Sequence, residues 1–179
     1  MITDRIVPAH ILRLYIWQIL SEREVLSLIN IPGDPNPKVP IVPLKDEPDL
    51  SEAGKPYAIY SYTEAESGGV EQIKRGVFGL RLIMPNSNLM DRAVSIVSRA
   101  FENSDVATEA VNTFSTAFPN GALHGIRFTF IRTGFTEGAV PPESEGGPVD
   151  GTVTINYEYI NSLDIPVPQS IATASGLWL

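Results

Sequence analysis

Between Val70 and Met84 the chain alternates. Phe78, Leu80, Leu82 and Met84 fall on one side, and Val77, Gly79, Arg81 and Ile83 on the other. That two-residue period predicts a strand. Pro85 ends it, because proline cannot donate to a ladder. Asn86, Ser87 or Asn88 can then cap a helix with Asp91 in its first turn. Leu89, Ala93, Ile96, Val97 and Ala100 recur at helical spacing and form one apolar face, which carries the helix to Glu102.

The N-terminal stretch also has a helical period. Thr3 or Asp4 can start the helix, and Pro8 suits its first turn. Leu12, Tyr15, Ile16, Ile19 and Leu20 make the apolar face, while His10, Arg13, Trp17, Ser21 and Glu24 lie opposite. On that polar face Trp17 reads as a rim residue half covered by the following loop, or as a subunit contact. Ser21 and Glu24 have capping-box spacing, and Leu20 and Val25 hydrophobic-staple spacing, so the helix can break near Leu20 and restart through Asn30.

From Ile31 to Pro56 seven prolines intervene, at 32, 35, 37, 40, 43, 48 and 56. They predict a long extended loop, with Val39, Ile41, Val42 and Leu44 lying against something apolar. Tyr57–Thr63 predicts a strand, with Ala58, Tyr60 and Tyr62 on one face. It pairs as a hairpin with Val70–Met84 across the polar turn Glu64–Gly69. Gly76 and Gly79 within the second strand mark a bulge or a close approach by another backbone.

After a break at Asn103–Asp105, Val106, Ala107, Ala110, Val111 and Phe114 predict a short helix through Phe118. Pro119-Asn120-Gly121 is a turn. Gly125–Thr133 predicts a strand with Ile126, Phe128, Phe130 and Arg132 on one face. Gly134–Gly151 reads as loop. Thr152–Ile160 is the last strand, with Val153, Ile155, Tyr157 and Tyr159 inward. The expected architecture is an α+β domain over residues 1–160. It has a mostly antiparallel sheet of about four strands packed on one or two helices. An extended arm follows over residues 161–179. Phe78, Leu80, Leu82, Ile96, Val97, Phe128, Phe130 and Ile155 should be buried together.

Composition narrows the chemistry. Of the 179 residues, 43% are hydrophobic and 19% charged, which marks a globular chain. The net charge of -8 argues against non-specific binding to nucleic acid or anionic membrane. Arg127 to Arg132 interleaves aromatic and basic residues as a single-strand stacking platform would, yet Phe128 and Phe130 share a face with Ile126 and read as core. Without cysteine there is no disulfide, thiolate site or cysteine nucleophile, which fits a cytoplasmic origin. Ile11–Leu20 is too short to span a bilayer and lacks the features of a signal peptide.

No phosphate-binding glycine motif, metal-binding spacing or nucleophile elbow is present. His10 and His124 stand alone. The carboxylates of Glu137–Asp150 read as a solvated acidic loop. No catalytic, cofactor-binding or metal-ligating residue is expected.

The order of elements resembles the tail terminator, or tail-completion, proteins of long-tailed bacteriophages, and more broadly head–tail neck components. The resemblance spans residues 5–160. It rests on the pair Lys55–Tyr60 and Gly76–Ile83, the helix segment Asp91–Val97, and the strands Ile126–Arg132 and Val153–Tyr159 with their Tyr-x-Tyr ending. It implies a subunit of a ring, expected to be a hexamer, that sits on the last ring of the tail tube. Such a ring stops tube polymerisation and meets the head connector.

The partners expected are further copies of the chain, the tail tube protein and the head–tail connector or neck proteins. No membrane and no sequence-specific nucleic acid are expected. The location is the virion tail or neck, after assembly in the host cytoplasm. Candidate contact residues are Trp17, Arg75, Arg81, Glu143, Glu145, Trp178 and Leu179, with Trp178 as the anchor of the arm. The alternatives are another neck adaptor, or a non-viral soluble binding module with Pro43–Pro56 lining a ligand cleft.

Overall fold

The structure is a computed structural model. It describes residues 7–30, 35–44, 55–65, 73–117, 125–140 and 147–161. Among the described residues three helices, α1 (Pro8–Ser21), α2 (Ser87–Ala100) and α3 (Ser104–Ala117), accompany five strands. The strands are β1 (Ile41–Pro43), β2 (Tyr57–Ala65), β3 (Ile73–Met84), β4 (Ile126–Val140) and β5 (Val149–Asn161). They form one sheet in the order β1-β2-β3-β5-β4. β1 runs parallel to β2, and the other pairs are antiparallel. The fold is thus α+β, with one strand more than expected. The addition is β1, a three-residue strand inside the proline-rich stretch.

Local chemistry sets the helix ends. α1 begins at Pro8, with an extended Val7 at its cap position; Thr3 and Asp4 lie outside the described residues. At its other end Val25 N–H donates to Leu20 C=O at 2.9 Å, Glu24 N–H donates to Ser21 C=O at 3.0 Å, and Glu24 sits at φ 58. That is a Schellman-type stop, and the helix does not restart. The chain instead reaches an isolated bridge between Ile29 and Lys38. Asn86 caps α2 by accepting from Leu89 N–H at 2.9 Å. Asn103 caps α3 through the N–H groups of Asp105 and Val106.

The helices cover one face of the sheet. There Phe78, Leu80, Leu82, Phe128, Val153, Ile155 and Tyr157 meet Leu12, Ile16, Leu20, Met90, Ala93, Val97, Phe101, Ala107 and Val111. On α2 the buried line is Met90, Ala93 and Val97, while Leu89, Ile96 and Ala100 are half-buried beside it.

Two expectations fail on β4. Phe130 is not in the core, and Ile131 takes its place, because a register shift between Phe128 and Phe130 breaks the alternation. Gly134–Gly151 is not all loop, since β4 continues to Val140 and β5 begins at Val149.

A second, smaller cluster lies on the opposite face, where Ile29, Val42, Tyr57, Ile59 and Ile83 pack together. Ile29, held by its bridge to Lys38, thus forms a strap on the outer side of β1 and β2. Val39, Ile41 and Val42 are covered as expected, but Leu44 is exposed.

Candidate interaction surface

Beyond the strap, the outer face of β3, β5 and β4 has no covering element among the described residues. Alternation assigns its side chains: Arg75, Val77, Gly79 and Arg81 from β3, and Asp150, Thr152, Thr154, Asn156 and Glu158 from β5. The shift in β4 adds Phe130 and Arg132, which stand opposite Glu158 and Asn156.

Two ion pairs cross this face. Arg75 Nε donates to Glu158 Oε1 at 2.7 Å, straight across the register. Arg81 Nε donates to Asp150 Oδ2 at 3.0 Å, on the diagonal. The Arg75 side chain is 71% exposed, so such a pair contributes at most about 1 kcal/mol to stability. Its effect is mainly geometric, because each guanidinium is tied to a carboxylate on the neighbouring strand. At the Arg75–Glu158 pair lies a shallow depression of about 270 Å³, also lined by Thr63, Val77, Phe130 and Asn156. On the same face Gly79 has no side chain, and a Cβ there would lie 3.2 Å from Ser61 Oγ.

Arg75 and Arg81 are therefore brought to one face, each with a carboxylate partner that no local spacing announces. Trp17 is not with them. It packs half-buried against the helical core, on the other side of the sheet, and its indole N–H has no partner among the described residues. Glu143, Glu145, Trp178 and Leu179 lie outside the described residues, as do His124 and the Pro119–Gly121 turn.

Two features were not foreseen. One is a groove between α1 and α3, lined by Tyr15, Val106, Ala110 and Phe114 and rimmed by Gln18 and Glu109. Val106 is 62% exposed in it. The sequence grouped Val106, Ala110 and Phe114 with Ala107 and Val111 on one face. In the helix only Ala107, Val111 and Ser115 are buried, and the other three turn to the groove.

The other feature is an aromatic row at the end of the inner face. The hydroxyls of Tyr157 and Tyr159 donate to opposite oxygens of Glu64, at 3.2 and 3.1 Å. The ring of Tyr157 lies over Gly76, so the close approach at that glycine comes from a side chain, and no bulge interrupts β3 there. Burial, and then the Glu64 carboxylate, push the Tyr157 phenol far above the usual phenol range. It is a fixed hydrogen-bond donor, unsuited to act as a base.

His10 is shifted the other way, lowered first by burial and then by Arg13. Among the described residues no group of three or more His, Asp or Glu is placed to hold a metal ion. Among them, too, no helix is long and apolar enough to cross a membrane.

No protein-family model matches the chain, and no curated protein matches it in sequence.

Proposed function

We propose that this chain is a virion structural subunit of the tail-terminator kind. In this reading it forms a ring on the end of a phage tail tube, stops the tube from growing and presents a surface to the head connector. Assembly in the host cytoplasm and a final place in the tail or neck follow from the same reading. The observation that carries it is the uncovered outer face of β3, β5 and β4, with its paired charges at Arg75–Glu158 and Arg81–Asp150. A tube grows by head-to-tail stacking until a ring with a different outer face ends the series. A subunit for that task needs broad contact faces and no reaction centre.

The test is the mass of the purified protein in solution, with electron micrographs of the same sample. A ring-sized oligomer, reduced to subunits by the double charge reversal Arg75→Glu/Arg81→Glu, is the expected result. A monomer at all concentrations, unchanged by that variant, would reject the proposal. A second reading, a small binding module, has one observation in its favour: the α1–α3 groove, which at about 750 Å³ matches a small-molecule cleft. It would be preferred for a monomer in which Val106→Asp abolishes capture of a ligand.

A further inference from the structure

Among the described residues β4 is the outer strand of the sheet, so along one side its backbone groups face no described strand. At Phe128 both of those groups are taken by one side chain. Asn112 of α3 accepts from Phe128 N–H through Oδ1 at 2.9 Å and donates from Nδ2 to Phe128 C=O at 2.9 Å. A residue on an antiparallel neighbour would make the same pair of bonds. A carboxamide can imitate it because it carries one acceptor and two donors in one plane.

Further along β4, Thr133 N–H donates to Phe101 C=O, at 3.0 Å, in the junction between α2 and α3. The register shifts in β4 break up the remainder. The room for an incoming chain exists nonetheless. A groove of about 550 Å³ runs beside this edge, lined by Thr108, Asn112, Arg127 and Thr129 among others. At the opposite margin β1 is only three residues long and ends in proline, so it offers little ladder to any partner.

We infer that Asn112 is a built-in strand mimic, which closes the β4 edge to strand addition by a second copy of this chain. Association is thereby directed to the sheet's outer face. The inference does not depend on the ring reading, since an edge must be closed in a monomer as much as in a ring. Asparagine is the residue the role requires. Aspartate would set a carboxylate against the Phe128 carbonyl, and alanine would leave both backbone groups open beside the groove.

The test uses Asn112→Ala and Asn112→Asp in the full chain, against the wild type. Two quantities are read over a range of concentrations: the mass by light scattering, and the exchange of the Phe128 amide by NMR. In dilute Asn112→Ala, Phe128 exchange should rise by roughly tenfold or more. On concentration the variant should grow beyond the wild-type mass, whatever that mass is, and Phe128 should regain protection as it does so. Asn112→Asp keeps one of the two bonds and should lie between. If Asn112→Ala does not fold, growth and exchange in Asn112→Asp decide the question.

Wild-type mass at every concentration, or growth that leaves Phe128 freely exchanging, would overturn the inference. Adding Thr129→Lys places a charge on the same edge and should reverse the growth. Failure to do so would also count against it. A wild type that proves monomeric would reject the ring and leave this reading intact.

Discussion

Gly76 is the sharpest place to test the packing of the sheet. It stands opposite Tyr157 on β5 and opposite Glu64 on β2, and the Tyr157 ring crosses over it to reach that carboxylate. A methyl group at Gly76 would overlap Cζ and the hydroxyl of the ring. Tyr157 is fully buried and makes an edge contact with Phe128, so the ring has little room to retreat. Forcing it aside costs about 1–3 kcal/mol, and loss of its hydroxyl bond adds about 0.5–1.5 kcal/mol. Alanine also stiffens the unfolded chain, which offsets about 0.4–1 kcal/mol.

The net expectation for Gly76→Ala is a loss of about 2 kcal/mol, read as a lower urea midpoint at unchanged slope. The decisive measurement is the same substitution in a Tyr157→Leu background. With the ring gone, Gly76→Ala should be neutral or stabilising by up to about 1 kcal/mol. The two sites would then be coupled by about 2–3 kcal/mol. An equal loss in both backgrounds would show that the glycine is needed for its backbone and not for the ring.

Other expectations can be checked by the same unfolding assay. Leu82 is fully buried between sheet and helices, and Leu82→Ala should cost about 2–5 kcal/mol; a change within experimental error would mean that the strand faces are reversed. Glu24 holds the left-handed position of the α1 stop, so Glu24→Gly should stabilise by up to about 1 kcal/mol, whereas a loss would point to a side-chain role. Tyr157 has a raised folded-state pKa, so the folded protein keeps a proton that the unfolded chain releases near pH 10. Stability should therefore fall as pH rises past that value, and Tyr157→Phe should lessen the fall; identical profiles for the two proteins would refute the assignment.

Legibility in the sequence followed the strength of the period. Phe78, Leu80 and Leu82 alternate with small or charged residues, and their strand, its hairpin partner and an α2 cap among Asn86, Ser87 and Asn88 could all be read. So could the inward row Val153, Ile155, Tyr157 and Tyr159. Phe130 could not, because one extra residue in β4 reverses the side chains from Phe130 to Thr133 and leaves no mark in composition. The second half of β4 was hidden for another reason. Thr133, Thr136, Glu137 and Val140 pair through their backbones with β5, which a reading of side chains does not register. β1 was too short to show a period.

At the candidate surface, Arg75 and Arg81 could be placed on one face by counting. Their partners Glu158 and Asp150 could not, since 83 and 69 residues separate them. Asn112 gave no signal at all, because an asparagine within a helix usually marks weak propensity and not a contact with a distant strand.

The ties from the helices to β4 have a mechanical side. Apolar surfaces in contact resist separation but allow sliding, since one methyl neighbour is much like another. Hydrogen bonds are short and directional, and those at Phe128 and Thr133 fasten a single strand to α3 and to the α2–α3 junction. Two fixed points prevent both translation of that strand along the helices and rotation about either point. A load applied to the β4–β5 hairpin is therefore carried into the helical layer without slack. In shear the sheet margin should therefore move together with the helices.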